Sequence, residues 1–322
     1  MKKPKIYITR RLPDEVVEPY KNQLDIEMWD KEEEPVEHSV LLEKVRSADG
    51  LLTMLTDPVD EDVFMEGQHL RIVANMAVGY DNVDVSAAHK HGVAVTNTPD
   101  VLTDTTADLT FALLMSSARR LLEANHSIQR NEWNNWSPLW LAGSDVHHKT
   151  IGIVGMGRIG KALAKRAKGF DMRVLYHNRS RDEEAEENLG AVYMEFYELL
   201  KFADFVVCLT PLSDETYHMF DKEAFERMRN TAIFINASRG ATVDEKALYH
   251  AVNNSEIAGA GLDVFEEEPI GSDHPLLSLP QVLCLPHIGS ATVETRSNMM
   301  RMCFDNLIHF FEGKPLISPV NK

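Results

Sequence analysis

Three polar residues stand at or just past the ends of successive apolar runs in the second half of the chain. Arg239 follows IFINAS, Glu268 follows GLDVFEE and His287 follows VLCLP. Such runs read as strands of an open α/β sheet, whose C-terminal ends face the ligand crevice, so the three side chains can converge on one site. Their types suit hydride transfer to a carbonyl. Hydride arriving at the carbonyl carbon builds negative charge on oxygen; a cation stabilises that charge and an acid protonates it. An imidazole donates a proton near neutral pH. A carboxylate behind it holds its orientation and favours its charged form. Arginine presents a planar fork that matches a substrate carboxylate. Bland readings stand beside these. Glu268 is the third of Glu266-Glu267-Glu268, any of the 13 histidines can be a surface or core residue, and Arg239 can be a structural ion-pair partner. This chemistry needs no metal, and none is expected: the adjacent pair His147-His148 lacks ligand spacing around it. Neither a G-x-S-x-G elbow nor a Cys/His nucleophile constellation is present.

A glycine-rich turn supplies the second element of such a site. Gly155-Met156-Gly157-Arg158-Ile159-Gly160 follows the apolar strand Ile151–Val154 and opens a helical stretch from Arg158 to Phe170. Gly155 permits the tight turn, Gly157 lets the backbone approach a pyrophosphate seated on the helix N-terminus, and Gly160 lets helix and strand pack closely. The next strand ends in Tyr176-His177-Asn178-Arg179-Ser180-Arg181. An NAD enzyme usually carries Asp or Glu about 20 residues beyond the turn, to accept from the ribose 2′-hydroxyl. Here the position falls on Asn178, which is neutral. A carboxylate repels a 2′-phosphate, whereas arginine pairs with one and serine hydrogen-bonds it, so Asn178, Arg179 and Ser180 predict NADP(H) rather than NAD(H). Asp263 lies late in a strand of the same region. It can face the nicotinamide, or it can be a structural turn or cap.

These residues need elements to position them. Short β-rich runs at 5–9, 24–29, 50–55, 71–76 and 92–96 alternate with amphipathic stretches, which indicates βαβ units and a parallel sheet. A second series follows at 150–155, 173–178, 205–210, 232–237, 258–265 and 282–286, about the strand number of a complete dinucleotide-binding sheet. Residues 101–124 read as one long helix with Leu109, Ala112, Leu113, Ser116 and Ser117 on one face, and 291–311 as a final one. Between Asn131 and Asp145 the chain is irregular and holds Trp133, Trp136 and Trp140. These rings either cap the local core or form a docking arm. The acidic run Asp182–Glu187 reads as a solvated helix start.

Composition bounds the rest. At 322 residues the chain makes two domains or one large one, and 44% hydrophobic with 26% charged residues is enough for a full core. A net charge of -17 repels phosphate backbones and anionic lipid, so neither nucleic acid nor a membrane is an expected partner. Cys208, Cys284 and Cys303 lie far apart and do not suggest a disulfide framework. MKKPKIYITRR lacks the apolar core of a signal peptide, and no apolar stretch reaches ~18 residues. A soluble, reduced, cytoplasmic protein is expected.

Over almost its whole length the chain resembles the D-isomer-specific 2-hydroxyacid dehydrogenase family. The matching stretches are VGYDNVD (78–84), NTPDVLTDTTADL (97–109), GIVGMGRIGKALA (152–164), INASRG (235–240), GLDVFEEEP (261–269) and LPHIGSAT (285–292). SPLWLAG and HNRS make it most similar to the glyoxylate/hydroxypyruvate reductases of that family. The resemblance implies two doubly wound parallel-sheet domains, a Rossmann cofactor domain (100–287) inserted into a flavodoxin-like substrate domain (1–99 with 288–322). It implies roles as well. Arg239 would bind the substrate carboxylate and carbonyl, His287 would donate the proton and Glu268 would orient it. Val78 and Gly79 would offer amides to the carboxylate; Leu55 would line the pocket and Ser290 would lie near the substrate. Thr106 would touch the cofactor phosphate or nicotinamide region. Arg158 and Ile159 would sit at the pyrophosphate, Asp263 at the nicotinamide amide and Pro211 near the adenosine. The helices near 101–124 and 291–311 would cross between the domains as hinges whose closure sheds water from the site. Members are usually homodimers joined through their cofactor domains, which would put Trp140 on an arm reaching the other copy's active site. The activity implied is NADPH-dependent reduction of small 2-oxo acids such as glyoxylate and hydroxypyruvate. A 2-ketogluconate reductase, a phosphoglycerate dehydrogenase or a cofactor-sensing corepressor are alternatives on the same fold. The acidic loop 55–62 disfavours a phosphorylated substrate.

Overall fold

Apolar runs alternating with helix-length polar stretches produce two separate parallel sheets. The computed structural model describes residues 2–321 and divides into two units. The first takes the chain up to Leu102 and again from Ala291; the second is Thr103–Ser290.

In the first unit, β1 (Lys5–Ile8), β2 (Asp25–Met28), β3 (Gly50–Met54), β4 (Ile72–Met76) and β5 (Ala94–Thr96) lie in the order β2-β1-β3-β4-β5. All neighbours are parallel. Alternate residues of each strand serve opposite faces. Tyr7, Leu51, Val73 and Val95 pack with Phe64 on one side. Ile6, Ile8, Leu52 and Ile72 pack on the other against Phe304 and Leu307 of the helix Val293–Phe311. The last helix of the chain therefore covers its first sheet. That is why an apolar strand such as Leu51-Leu52 has no polar face: parallel sheets are buried on both sides.

The second unit holds β6 (Thr150–Val154), β7 (Arg173–His177), β8 (Val192–Tyr193), β9 (Phe205–Cys208), β10 (Ile233–Asn236), β11 (Gly259–Leu262) and β12 (Val282–Cys284). Their order is β12-β11-β10-β9-β6-β7-β8, again all parallel. The chain runs outward from β6 to β8, then restarts on the other side of β6 at β9. This reversal is the switch point at which a doubly wound sheet opens its crevice. Ile153 is level with Val207, and Val207 with Ile235, in the ladder. The two architectures are the flavodoxin-like and Rossmann orders that the resemblance implied.

Helix starts explain part of the acidic composition. Asp60, Asp84, Asp182, Asp221 and Asp244 each accept an amide of the first turn of a following helix, which satisfies an orphan donor and places negative charge at the positive end. The run at 182–187 is such a start, opening the helix Glu183–Leu189.

Two sequence expectations need correction, and one strand was not expected. The long helix expected over 101–124 is two, Thr103–Ala118 and Leu121–Gln129. Arg120 takes a left-handed conformation (φ 52°), and the Ala118 carbonyl accepts the Ser144 amide at 2.8 Å. A Cβ at Gly143 would lie 2.1 Å from that same carbonyl, so the returning segment abuts the helix end. Periodicity does not register such a break. The strand expected over 258–265 leaves the ladder after Leu262, which frees Asp263–Glu268 to form a loop. The two-residue edge strand β8 is too short to leave a pattern.

Candidate active site

His287 and Glu268 meet. His287 Nδ1 lies 2.7 Å from Glu268 Oε2, while Glu268 Oε1 accepts the Phe265 amide at 2.9 Å. With a carboxylate as acceptor, Nδ1 carries the hydrogen and Nε2 points elsewhere, with no protein partner among the described residues. Of the three consecutive glutamates Glu268 is the one that meets the imidazole. Glu266 pairs with His218 at 3.0 Å, and Glu267 is exposed. Burial raises the pKa of the Glu268 carboxyl, but the hydrogen bond and charge of His287, the Phe265 amide and the Arg239 guanidinium outweigh it, and the net direction is down. Arg239 is thus within electrostatic reach of the pair.

Backbone details hold this arrangement. His287 itself is left-handed (φ 52°), an uncommon conformation for a side-chain-bearing residue. The next residue is fixed: the Ile288 amide donates to Asp263 Oδ1 at 2.8 Å. Asp263 is 1% exposed, and burial raises its pKa against the amides and the His287 charge that lower it. Half of this carboxyl is therefore engaged in shaping the His287 turn. A Cβ at Gly289 would fall 3.2 Å from Asp263 Oδ2 and 3.4 Å from Thr106, which places Thr106 beside the same turn; Ser290 follows, half-buried.

The support of Arg239 was not read from sequence. Asn236, buried at the end of β10, donates through Nδ2 to the Arg239 carbonyl at 3.0 Å. Thr242 Oγ1 donates to the same oxygen at 2.7 Å, and Asn236 Oδ1 accepts the Ser238 amide and hydroxyl. The available signal was a lone amide side chain closing the apolar strand IFIN.

The glycine turn lies at the C-terminal end of β6 and fits a dinucleotide. Gly155 has φ 105°, and a Cβ there would strike the Leu209 carbonyl group at 2.6 Å. A Cβ at Gly160 would meet the Gly155 oxygen at 2.4 Å, whereas one at Gly157 would meet nothing within 4 Å. The first and third glycines are needed by the protein itself, and the second leaves open space above the backbone. Gly157 heads the helix Arg158–Lys168 with no side-chain cap, leaving first-turn amides for an anion. Arg158 is exposed and Ile159 packs partly against the core. Asn178 Oδ1 accepts the Met156 amide at 2.7 Å, so its free NH2 group can donate where an aspartate could only accept. Arg181 is drawn away to Glu186 at 2.6 Å; Arg179, Ser180 and Pro211 remain exposed.

In the first unit Leu55 and Val78–Gly79 follow β3 and β4 at their C-terminal ends. The Leu55 loop is built on a buried ion pair. Arg10 Nη1 lies 2.9 Å from Asp57 Oδ1, and Asp57 Oδ2 accepts the Met54 amide at 2.8 Å. Asn82 donates to the Met54 and Asp57 carbonyls at 3.1 and 3.0 Å. Trp140 lies outside both groups of residues, in the irregular stretch of the second unit, 41% exposed.

A doubly wound parallel sheet with a glycine turn at its switch point is the fold of a dinucleotide-binding oxidoreductase, and a paired imidazole and carboxylate lie at its strand ends. The chain belongs to the D-isomer specific 2-hydroxyacid dehydrogenase family: residues 111–289 match its NAD binding domain. It is 50% identical to the glyoxylate reductase of Korarchaeum cryptofilum over 97% of this chain and 94% of that one. A crystal structure of a Thermus thermophilus protein superposes with a TM-score of 0.92 at 39% identity, over 98% of this chain and 99% of the other. The NADPH-dependent glyoxylate/hydroxypyruvate reductase of Sinorhizobium meliloti, crystallised with NADP and malonate, gives a TM-score of 0.89 at 33% identity over 99% and 97%. Among the described residues no helix is long and apolar enough to cross a membrane.

Proposed function

We propose that this protein reduces small 2-oxo acids with NADPH, converting glyoxylate to glycolate and hydroxypyruvate to D-glycerate. The observation that carries the reading is the 2.7 Å His287–Glu268 pair in the same sheet as the glycine turn. A bound reduced nicotinamide supplies the hydride. Arg239 holds the substrate carboxylate through its guanidinium fork and stabilises charge growing on the carbonyl oxygen. His287 delivers a proton from Nε2 to that oxygen, while Glu268 keeps the ring oriented and balances its charge. Val78 and Gly79 offer amides to the carboxylate, Leu55 supplies apolar wall and Ser290 lies by the substrate. Gly155, Gly157, Arg158, Ile159 and Gly160 take the pyrophosphate. Asn178, Arg179 and Ser180 take the 2′-phosphate, Pro211 the adenosine, and Thr106 and Asp263 the nicotinamide end. The S. meliloti relative, whose crystals hold NADP, supports the cofactor assignment.

The partner in this reading is a second copy of the chain in the cytoplasm. Trp136 and Leu139 are 77% and 81% exposed on the segment that bears Trp140, a cost in water that a homodimer removes. Trp140 then reaches the other copy's active site.

The test is loss of near-ultraviolet absorbance of NADPH and NADH in parallel, with glyoxylate and with hydroxypyruvate. Fast oxidation of NADPH and slow oxidation of NADH is expected. A preference for NADH overturns the cofactor assignment and keeps the reaction class. Cofactor binding without turnover on any 2-oxo acid overturns the reaction and favours a sensor.

A further inference from the structure

Three successive carbonyls at the end of β4 are each taken by a donor from the protein. The Ala77 oxygen accepts the Thr98 amide at 2.8 Å. The Val78 oxygen accepts Asn97 Nδ2 at 2.8 Å, and the Gly79 oxygen accepts Asn75 Nδ2 at 3.0 Å. A trans peptide is planar, with its N–H antiparallel to its C=O. Pinning these three oxygens therefore fixes the Val78, Gly79 and Tyr80 amides and turns them away from the groups that pin them. No protein acceptor takes any of the three amides among the described residues. Adjacent outward amides with fixed directions are a preorganised seat for a carboxylate.

We propose that Asn75 and Asn97 are positioning residues for substrate: Asn97 holds the peptide that carries the Gly79 N–H and Asn75 the next one, which carries the Tyr80 N–H, so that the run of amides from Val78 meets the 2-oxo acid's carboxylate. The inference rests on the reading of Val78 and Gly79 as carboxylate donors. Neither asparagine touches substrate in this assignment; each acts through a carbonyl. Asn75 is buried, and its Oδ1 accepts from Thr53 Oγ1 at 3.1 Å. That bond fixes the rotamer and leaves the NH2 group for Gly79 and for Asn82 Oδ1 at 3.1 Å. Asn82 in turn donates to the Met54 and Asp57 carbonyls. The run of amides is thus in register with the Leu55 loop rather than adjusting on its own. Asn97 is half-buried, and its own carbonyl accepts the Ser318 hydroxyl at 2.6 Å. Aspartate at either position keeps the shape but replaces the donor with an acceptor facing a carbonyl oxygen.

The experiment compares wild type with Asn97→Asp, Asn97→Ser, Asn97→Gln and Asn75→Asp in steady-state reduction of glyoxylate by NADPH. KM for glyoxylate is expected to rise about tenfold or more for both aspartate variants, the size of one misplaced charge-assisted hydrogen bond. The KM for NADPH should stay within about twofold of wild type, and kcat should fall less than the glyoxylate KM rises. Asn97→Gln, which keeps an amide donor on a longer stem, should recover part of the loss. A general loosening of the fold would instead move both KM values together and give no recovery with glutamine; that result overturns the assignment. Unchanged glyoxylate KM in the Asn97 variants overturns it equally, and those variants decide the matter should Asn75→Asp fail to fold. A wild-type enzyme that turns over no 2-oxo acid removes the reading beneath it, which separates the two failures.

Discussion

Gly240 lies so tightly against Phe265 that a Cβ on it would sit 1.7 Å from the Phe265 carbonyl carbon. The loop after Arg239 and the loop that presents Glu268 are thereby packed backbone to backbone. Gly240→Ala must push one loop off the other, and either shift misplaces a group of the site. Activity with glyoxylate should fall at least tenfold, since small misplacements cost orders of magnitude. Cofactor binding, read by fluorescence titration with NADPH, should hold, because the glycine turn at 155–160 is a separate segment.

Replacing His287 with alanine should lower kcat by about 10²–10⁴, the usual contribution of a positioned general acid, and leave the KM for NADPH in place. Steady-state rates at neutral pH check this. Unchanged kcat would remove His287 as the proton donor.

Arg239→Lys is not conservative at a fork. It keeps the charge but loses the paired N–H geometry, so kcat/KM for glyoxylate should fall by more than tenfold, with Arg239→Ala lower still. The lysine variant is decisive. Full activity in it would mean that the guanidinium fork is not what the substrate meets.

The Glu268 carboxyl has a lowered pKa in the fold, so it contributes stability that is present above the ordinary glutamate value and is lost as pH falls through the depressed one. Glu268→Gln lacks this dependence. The stability gap between wild type and variant should be widest near neutral pH and should shrink below about pH 4, the ordinary glutamate range. Urea midpoints measured at pH 7 and at acid pH give the comparison. A gap independent of pH would show that the pair does not contribute through its charge.

Arg179→Ala should raise KM for NADPH about tenfold to a hundredfold, the value of a hydrogen bond to a charged group, and should leave KM for NADH near its starting value. Equal effects on both cofactors would detach Arg179 from the 2′-phosphate.

Local chemistry could be read from the residues alone. The glycine turn at 155–160 was legible because two of its glycines satisfy steric demands of a strand–turn–helix unit. Both sheets were legible because apolar runs with buried faces must pair, and the helix-length spacings between them allow only parallel crossovers. Arg239, Glu268 and His287 were legible as candidates because each stands where a strand run gives out. Local pattern stopped there. Three adjacent glutamates look alike in sequence, and what selects Glu268 is the Phe265 amide on one oxygen and an imidazole 19 residues further along on the other. The break at Arg120 depends on a partner at Ser144, and the seat at Val78–Gly79 depends on Asn75, Asn97 and Thr98 meeting across neighbouring strands. Such bonds are decided by strand order and register, which tertiary structure alone fixes, because a side chain's partner is set by the strand beside it in the sheet and not by its neighbours along the chain.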